Sequence, residues 1–151
     1  MMCSGDRALF DEVMPVLQSI SGKQYYVGAE VGQGKMIKAL NNLVGAANLA
    51  VVAEMDRIVR KNNIDPDVVY EVLSAATATS FQFVNCYPRI SKQDFRPTFT
   101  VALMKKDLGI AMGMAEGLNL PMVETTYEYY KQAEPYGSED YSAIAKVDLK
   151  R

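Results

Sequence analysis

The stretch Gly34–Asn62, GKMIKALNNLVGAANLAVVAEMDRIVRKN, decides the fold. It holds no proline, and Ile37, Leu40, Val44, Val51, Met55, Ile58 and Val59 recur in it at helical spacing. That period is the signature of an α-helix. Gly45, Ala46, Ala47, Ala50 and Ala53 make a second, small-residue surface. A helix of roughly 28 residues is about 42 Å long, against a usual length of about 11–12 residues. Such a helix is expected to run through the middle of its domain, packed on several sides.

Working outward, the segment before it reads as a helix over 6–21. Leu9, Phe10, Val13, Val16, Leu17 and Ile20 share one face, and Ser4 or Asp6 can cap it. Pro15 inside that pattern predicts a kink or a break. Gln24–Val27 is the one strand-like run, too short to found a sheet. Downstream, Asn62–Pro66 breaks the long helix. Asp65 followed by Pro66 is an N-cap with proline at the first helical position. Helices are then expected over about 66–75, 79–87, 98–118 and 122–135, with a loop to about 97. A last short one starts at Ser138 and ends near Lys146. No internal repeat, low-complexity run or flexible linker interrupts the chain. The expectation is all-α: one multi-helix domain over residues 1–151, built around the long central helix at about 34–62. There is no strand, glycine-rich turn and helix in sequence, so no complete nucleotide-binding βαβ unit is expected.

The composition removes several chemistries. The 151 residues contain no histidine. That excludes Ser-His-Asp and Cys-His nucleophile pairs, a histidine general base and histidine-ligated metal. The formal net charge of −2 offers no electrostatic footprint for nucleic acid. No run approaches the roughly 18 consecutive apolar residues of a membrane span, and the start, MMCSGDRALF, lacks the layout of a secretory signal. Cys3 and Cys86 form no CxxC pair, so neither a disulfide scaffold nor a cysteine-rich zinc site is expected, and a reducing cytoplasm is the default location.

Three constellations can carry chemistry. The first is Gly32-Gln33-Gly34 leading into Lys38, Asn41 and Asn42. The glycines allow backbone to approach a ligand or another chain. The i, i+3, i+4 spacing turns an ammonium and two carboxamides to one side of a helix. That set can hold a hydroxyl or carbonyl oxygen beside a carboxylate, and a lysine there can move a proton if burial lowers its pKa. From periodicity alone the plainer reading is a solvated polar face. The second is Lys105-Lys106-Asp107 with Gly109, Gly113 and Gly117 following at four-residue steps. Those glycines suggest close approach by a helix or a ligand, and Lys106-Asp107 alone reads as a solvated pair. The third is the aromatic stretch 79–99 with Phe81, Phe83, Phe95 and Phe99, which lines a pocket or covers the core.

Taken in order, these residues resemble a known signature. Gly32-x-Gly34-x-x-x-Lys38-x-x-Asn41-Asn42, then Ala53-Glu54, Ile64-Asp65-Pro66, Phe99 ahead of Lys106-Asp107-Leu108, and Asp140-Tyr141-Ser142-Ala143 are similar to the β-hydroxyacid dehydrogenases. These are the relatives of 3-hydroxyisobutyrate dehydrogenase and tartronate semialdehyde reductase. The resemblance runs over nearly the whole chain. It implies the C-terminal all-α half, as in the C-terminal domain of 6-phosphogluconate dehydrogenase, with the N-terminal Rossmann domain absent from this chain. The implied chemistry is hydride transfer between NAD or NADP, held mainly by the missing domain, and a short hydroxy acid or its semialdehyde, without metal. Lys38 is then the catalytic lysine. Asn42 and Asn41 orient the substrate, Phe83 lies near it, and Lys106 with Asp107 approaches the nicotinamide end of the cofactor. The implied partners are the small hydroxy acid and a second copy of the chain, as a homodimer or higher homo-oligomer, with neither nucleic acid nor membrane. The isolated chain is expected to be inactive. The competing expectation is a helical dimerisation module that kept the fold and lost the chemistry.

Overall fold

The computed structural model describes residues 1–148, which divide into two compact units, Met1–Asn41 and Asn42 onward. In the first unit, strand β1 (Met2–Cys3) leads to helix α1 (Arg7–Ile20), and strand β2 (Tyr25–Tyr26) follows. Asp6 caps α1 by accepting the Leu9 amide at 2.8 Å. The helix continues through Pro15, so no break occurs there. β1 and β2 pair in parallel, Met2 with Tyr25 and Cys3 with Tyr26. A sheet therefore does form, contrary to the expectation of an isolated extended piece. Its partner strand is two residues long and carries no periodicity to read. Phe10 is buried against Tyr26, their ring centroids 5.4 Å apart, and the Arg7 guanidinium lies over the Tyr26 ring at 5.0 Å.

Helix α2 spans Gln33–Lys61, as its period requires. The face it buries is the unexpected one. Ala46 and Leu49 have no exposed surface, and Ala50, Val52 and Ala53 are also buried. Val44, Val51 and Ile58, on the supposed apolar stripe, are each 61% exposed. The inward face is made of small side chains with Leu49 and Val52 among them. One 18-residue window of α2 has a mean hydropathy of 1.4, enough by length and composition to cross a bilayer. A search for unbroken apolar runs misses this, because Lys38, Asn41, Asn42 and Asn48 interrupt the run. Core helices meet the same criterion, and 39% of that window is buried within the protein.

The second unit adds α3 (Pro66–Ala75), α4 (Phe81–Ser91), α5 (Val101–Met114), α6 (Pro121–Gln132) and two 3-10 segments, Glu134–Tyr136 and Tyr141–Lys146. The N-caps are local and readable. Asp65 accepts from the Asp67 amide, Ser80 from that of Phe83 and Thr100 from that of Leu103. The last segment is capped by Asp140, not Ser138. The core joins Leu49 of α2, Phe83, Tyr87 and Ile90 of α4, Leu108 of α5, Tyr129 and Tyr130 of α6, and Ile144. Asp140, with no exposed surface, organises the entry to α5. It accepts hydrogen bonds from Thr98 and Ser142 and pairs with Arg89 at 2.9 Å.

Candidate functional site

In the first unit the site residues grow out of a glycine-dependent turn. Gly32 has φ +101°, a conformation that only glycine adopts without strain. At Gly34 an added Cβ would stand 2.6 Å from the Met2 carbonyl oxygen, and the Gly34 amide donates to Ser4 Oγ at 3.2 Å. The close approach at this glycine is made by the chain's own strand β1, a neighbour outside the two expected, a ligand or another chain. Lys38 follows one turn into α2 with its residue exposed. Together with Met1, Met2, Tyr25, Gly34 and Lys35 it lines an open hollow of about 500 Å³. Asn41 is exposed on the same helix, three residues on.

In the second unit the fold brings α2 and α5 together at one point. Asn42 Nδ2 donates to Asp107 Oδ2 at 2.7 Å, across 65 residues of sequence. The other oxygen, Oδ1, lies 3.1 Å from Lys106 Nζ. Asp107 is only 4% exposed, whereas the Lys106 side chain is 62% exposed. Lys106-Asp107 is therefore more than a solvated pair: the carboxylate is buried and bonded, and the ammonium reaches outward from it. Buried carboxylates need such partners to stay charged. Lys105 points elsewhere and pairs with Glu134 at 2.7 Å.

Phe83 is 2% exposed and stacks between Tyr70 and Tyr87, centroids 6.0 and 5.1 Å away. Its surroundings are those of a packing residue. Among the described residues no helix approaches the glycine stripe closely. A Cβ at Gly109 would make only ordinary contact with Tyr127 Oη at 3.5 Å, and one at Gly113 would meet nothing within 4 Å. Gly117 lies beyond the end of α5 with φ +81°. Among the described residues no group of three or more His, Cys, Asp or Glu could hold a metal ion. The Asn42–Asp107 bond had no sequence signal, because nothing in the local pattern pairs residues so far apart.

Comparison with known proteins adds a family. A family model described as NAD-binding of NADP-dependent 3-hydroxyisobutyrate dehydrogenase matches residues 32–147. L-threonate dehydrogenase of Escherichia coli (strain K12) is 33% identical over 150 residues, taking in 97% of this chain and 50% of its own length. The crystal structure of 3-hydroxyisobutyrate dehydrogenase from Salmonella typhimurium superposes with a TM-score of 0.88 at 29% identity, over 96% of this chain and 52% of that one. The Mycobacterium tuberculosis 3-hydroxyisobutyrate dehydrogenase with L-serine gives 0.85 at 29% identity, over 95% and 52%. The chain spans about half the length of the curated relatives it matches. With most of its residues inside the family model, the chain belongs to the 3-hydroxyisobutyrate dehydrogenase-like family of β-hydroxyacid dehydrogenases.

Proposed function

We propose that this chain is the C-terminal, substrate-binding and catalytic-lysine part of an NAD(P)-dependent oxidoreductase. Its substrate is a short hydroxy acid or the corresponding semialdehyde. The observation that carries the reading is the hydrogen bond from Asn42 to the buried Asp107 carboxylate. It gives a fixed place to two residues of the family-like signature, and Asn42 shares helix α2 with Lys38 at an i, i+4 spacing. A solvated polar face has no need of a buried carboxylate behind it.

The cofactor, when bound, accepts or donates the hydride. This chain's donor set fits only the nicotinamide end of such a molecule. The exposed Lys106 ammonium can meet an amide or phosphate oxygen, while no glycine-rich phosphate turn follows β1. Lys38 takes the proton from the substrate hydroxyl during oxidation and returns it to the carbonyl oxygen during reduction. Asn42, with Asn41, orients the substrate. Lys106, held by Asp107, faces the cofactor. Phe83 shapes the site only through the packing of α4. The first unit supports a missing nucleotide-binding half in its own way. Parallel strands normally lie inside larger sheets covered on both faces, and two strands of two residues have marginal stability alone. We read them as the edge of a sheet completed by that half, without which the chain turns over nothing. The stripe Val44, Val51, Ile58 repeats every seven residues and is open to solvent, which suits pairing with a second copy. The cytoplasm, with free thiols at Cys3 and Cys86, is the fitting compartment.

The test joins the chain to a nucleotide-binding half and follows reduction of NAD+ and NADP+ over a panel of 2- and 3-hydroxy acids. Lys38→Ala should lower kcat by about 100- to 10,000-fold, the range for loss of a general acid–base group. Undiminished turnover in that variant overturns the role of Lys38. No turnover by the joined wild type with any hydroxy acid favours the dimerisation module.

A further inference from the structure

We infer that Asp107 is a positioning residue that acts through Asn42, setting which end of its carboxamide the site presents. The inference rests on the reading above and changes one part of it: the resemblance placed Asp107 at the cofactor.

The two carboxylate oxygens divide their work. Oδ2 takes the Asn42 amide at 2.7 Å, and Oδ1 faces Lys106 Nζ at 3.1 Å. With 4% of its surface exposed, Asp107 has almost none left with which to touch a ligand. An ionised carboxylate only accepts hydrogen bonds, whereas a carboxamide offers an acceptor at one end and two donors at the other. Rotating the Asn42 amide by half a turn would set oxygen against oxygen at the distance now spanned by a hydrogen bond. A charge-assisted bond to a carboxylate that is itself buried enforces the choice. Nδ2 therefore faces Asp107, and Oδ1 is the end turned to groups that donate. A substrate hydroxyl is such a group, and a substrate carboxylate is not. The pair thus selects how a hydroxy acid lies against α2, hydroxyl toward Asn42, although Asp107 itself never meets it.

Two measurements test this. The first uses the chain as it stands and needs no turnover: the Asn42 side-chain amide is followed by 1H–15N NMR. In the wild type its shift should track ionisation of a carboxylate as pH falls, and in Asp107→Asn that dependence should vanish. The second uses the joined enzyme with Asn42→Ala, Asp107→Asn and the double variant. Asp107→Asn should lower kcat/KM about 100-fold, the cost of a misplaced reacting group. The double variant should fall within about two-fold of Asn42→Ala alone, since non-additivity marks residues that act as one. A purely structural role predicts multiplied losses. Asp107→Ala, which removes the acceptor altogether, serves if the isosteric variant keeps the amide in place. An Asn42 resonance indifferent to Asp107, or losses that multiply, overturns the inference. If the joined wild type is inactive, the proposed function fails, and the resonance still decides the Asp107–Asn42 relation.

Discussion

Replacing Asp140 by alanine should be the most damaging single change in the second unit. The side chain has no exposed surface. Its Oδ2 accepts from the Thr98 amide at 3.0 Å and hydroxyl at 2.7 Å, and lies 2.9 Å from Arg89 Nη1. Its Oδ1 accepts from the Ser142 hydroxyl at 2.6 Å and amide at 3.1 Å. The backbone reinforces the same seam, with the Asp140 amide on Phe95 O and the Tyr141 amide on Phe99 O. Alanine would leave five donors without their acceptor, the Phe99 amide at 3.5 Å among them, and a guanidinium, 21% exposed, without its counter-charge. Breaking a buried ion pair from one side costs about 3–5 kcal/mol. For a chain of this size each kcal/mol moves Tm by about 2–4 °C, so a fall of roughly 6–20 °C is expected. Urea unfolding followed by circular dichroism, with a thermal scan beside it, measures both.

Acidity gives a second signature. Burial by itself would raise the Asp140 carboxyl, but the hydrogen bonds from Ser142 and Thr98 outweigh it and hold the group below the ordinary carboxylate range. Its stabilising contribution is complete above the unfolded value of about 3.9 and drains away as pH falls through the lower folded value. The gap in stability between wild type and Asp140→Asn should therefore be flat near neutrality and shrink below about pH 4. A loss under about 1 kcal/mol in Asp140→Ala, the size of an ordinary surface change, would refute the account.

Other outcomes follow from single contacts. Gly34→Ala sets a Cβ against backbone, not a movable side chain, and overpacking of this kind costs about 1–3 kcal/mol. Hydrogen exchange should show faster loss of protection at the Tyr25 and Val27 amides, which bond to Met1 and Cys3, and unchanged rates there would remove the steric argument. Gly113→Ala fills open space inside α5 and should raise stability by about 0.5–1 kcal/mol; a decrease would mean that the space is used by another body. Burial pushes the Cys86 thiol up, despite the opposing hydrogen bond with Tyr141. Iodoacetamide on the native chain at pH 8 should therefore modify Cys3 well before Cys86, with both modified after unfolding. Equal native rates, read by mass spectrometry, would contradict the packing around α4.

Much of this protein is legible along the chain. The proline-free helical period gave α2 to within a residue, because backbone hydrogen bonding is local and an uninterrupted pattern leaves no other choice. Asp65-Pro66 gave the start of α3 for the same reason. The ordered Gly32, Gly34, Lys38, Asn41, Asn42 and Lys106-Asp107 marked the candidate site, since residue identity and spacing are properties of sequence. Boundaries near prolines were less legible: α4 runs on through Pro88 to Ser91, where its packing against the core outweighs the local break. Three things belonged to tertiary structure alone. Which face of α2 turned inward depended on where the rest of the core lies, a property of its neighbours. The pairing of Met2–Cys3 with Tyr25–Tyr26 joined segments too short to announce themselves. The Asn42–Asp107 bond and the enclosure of Asp140 each required residues distant in sequence to meet around a buried carboxylate, and only there does a carboxylate need, and fix, the donors that surround it.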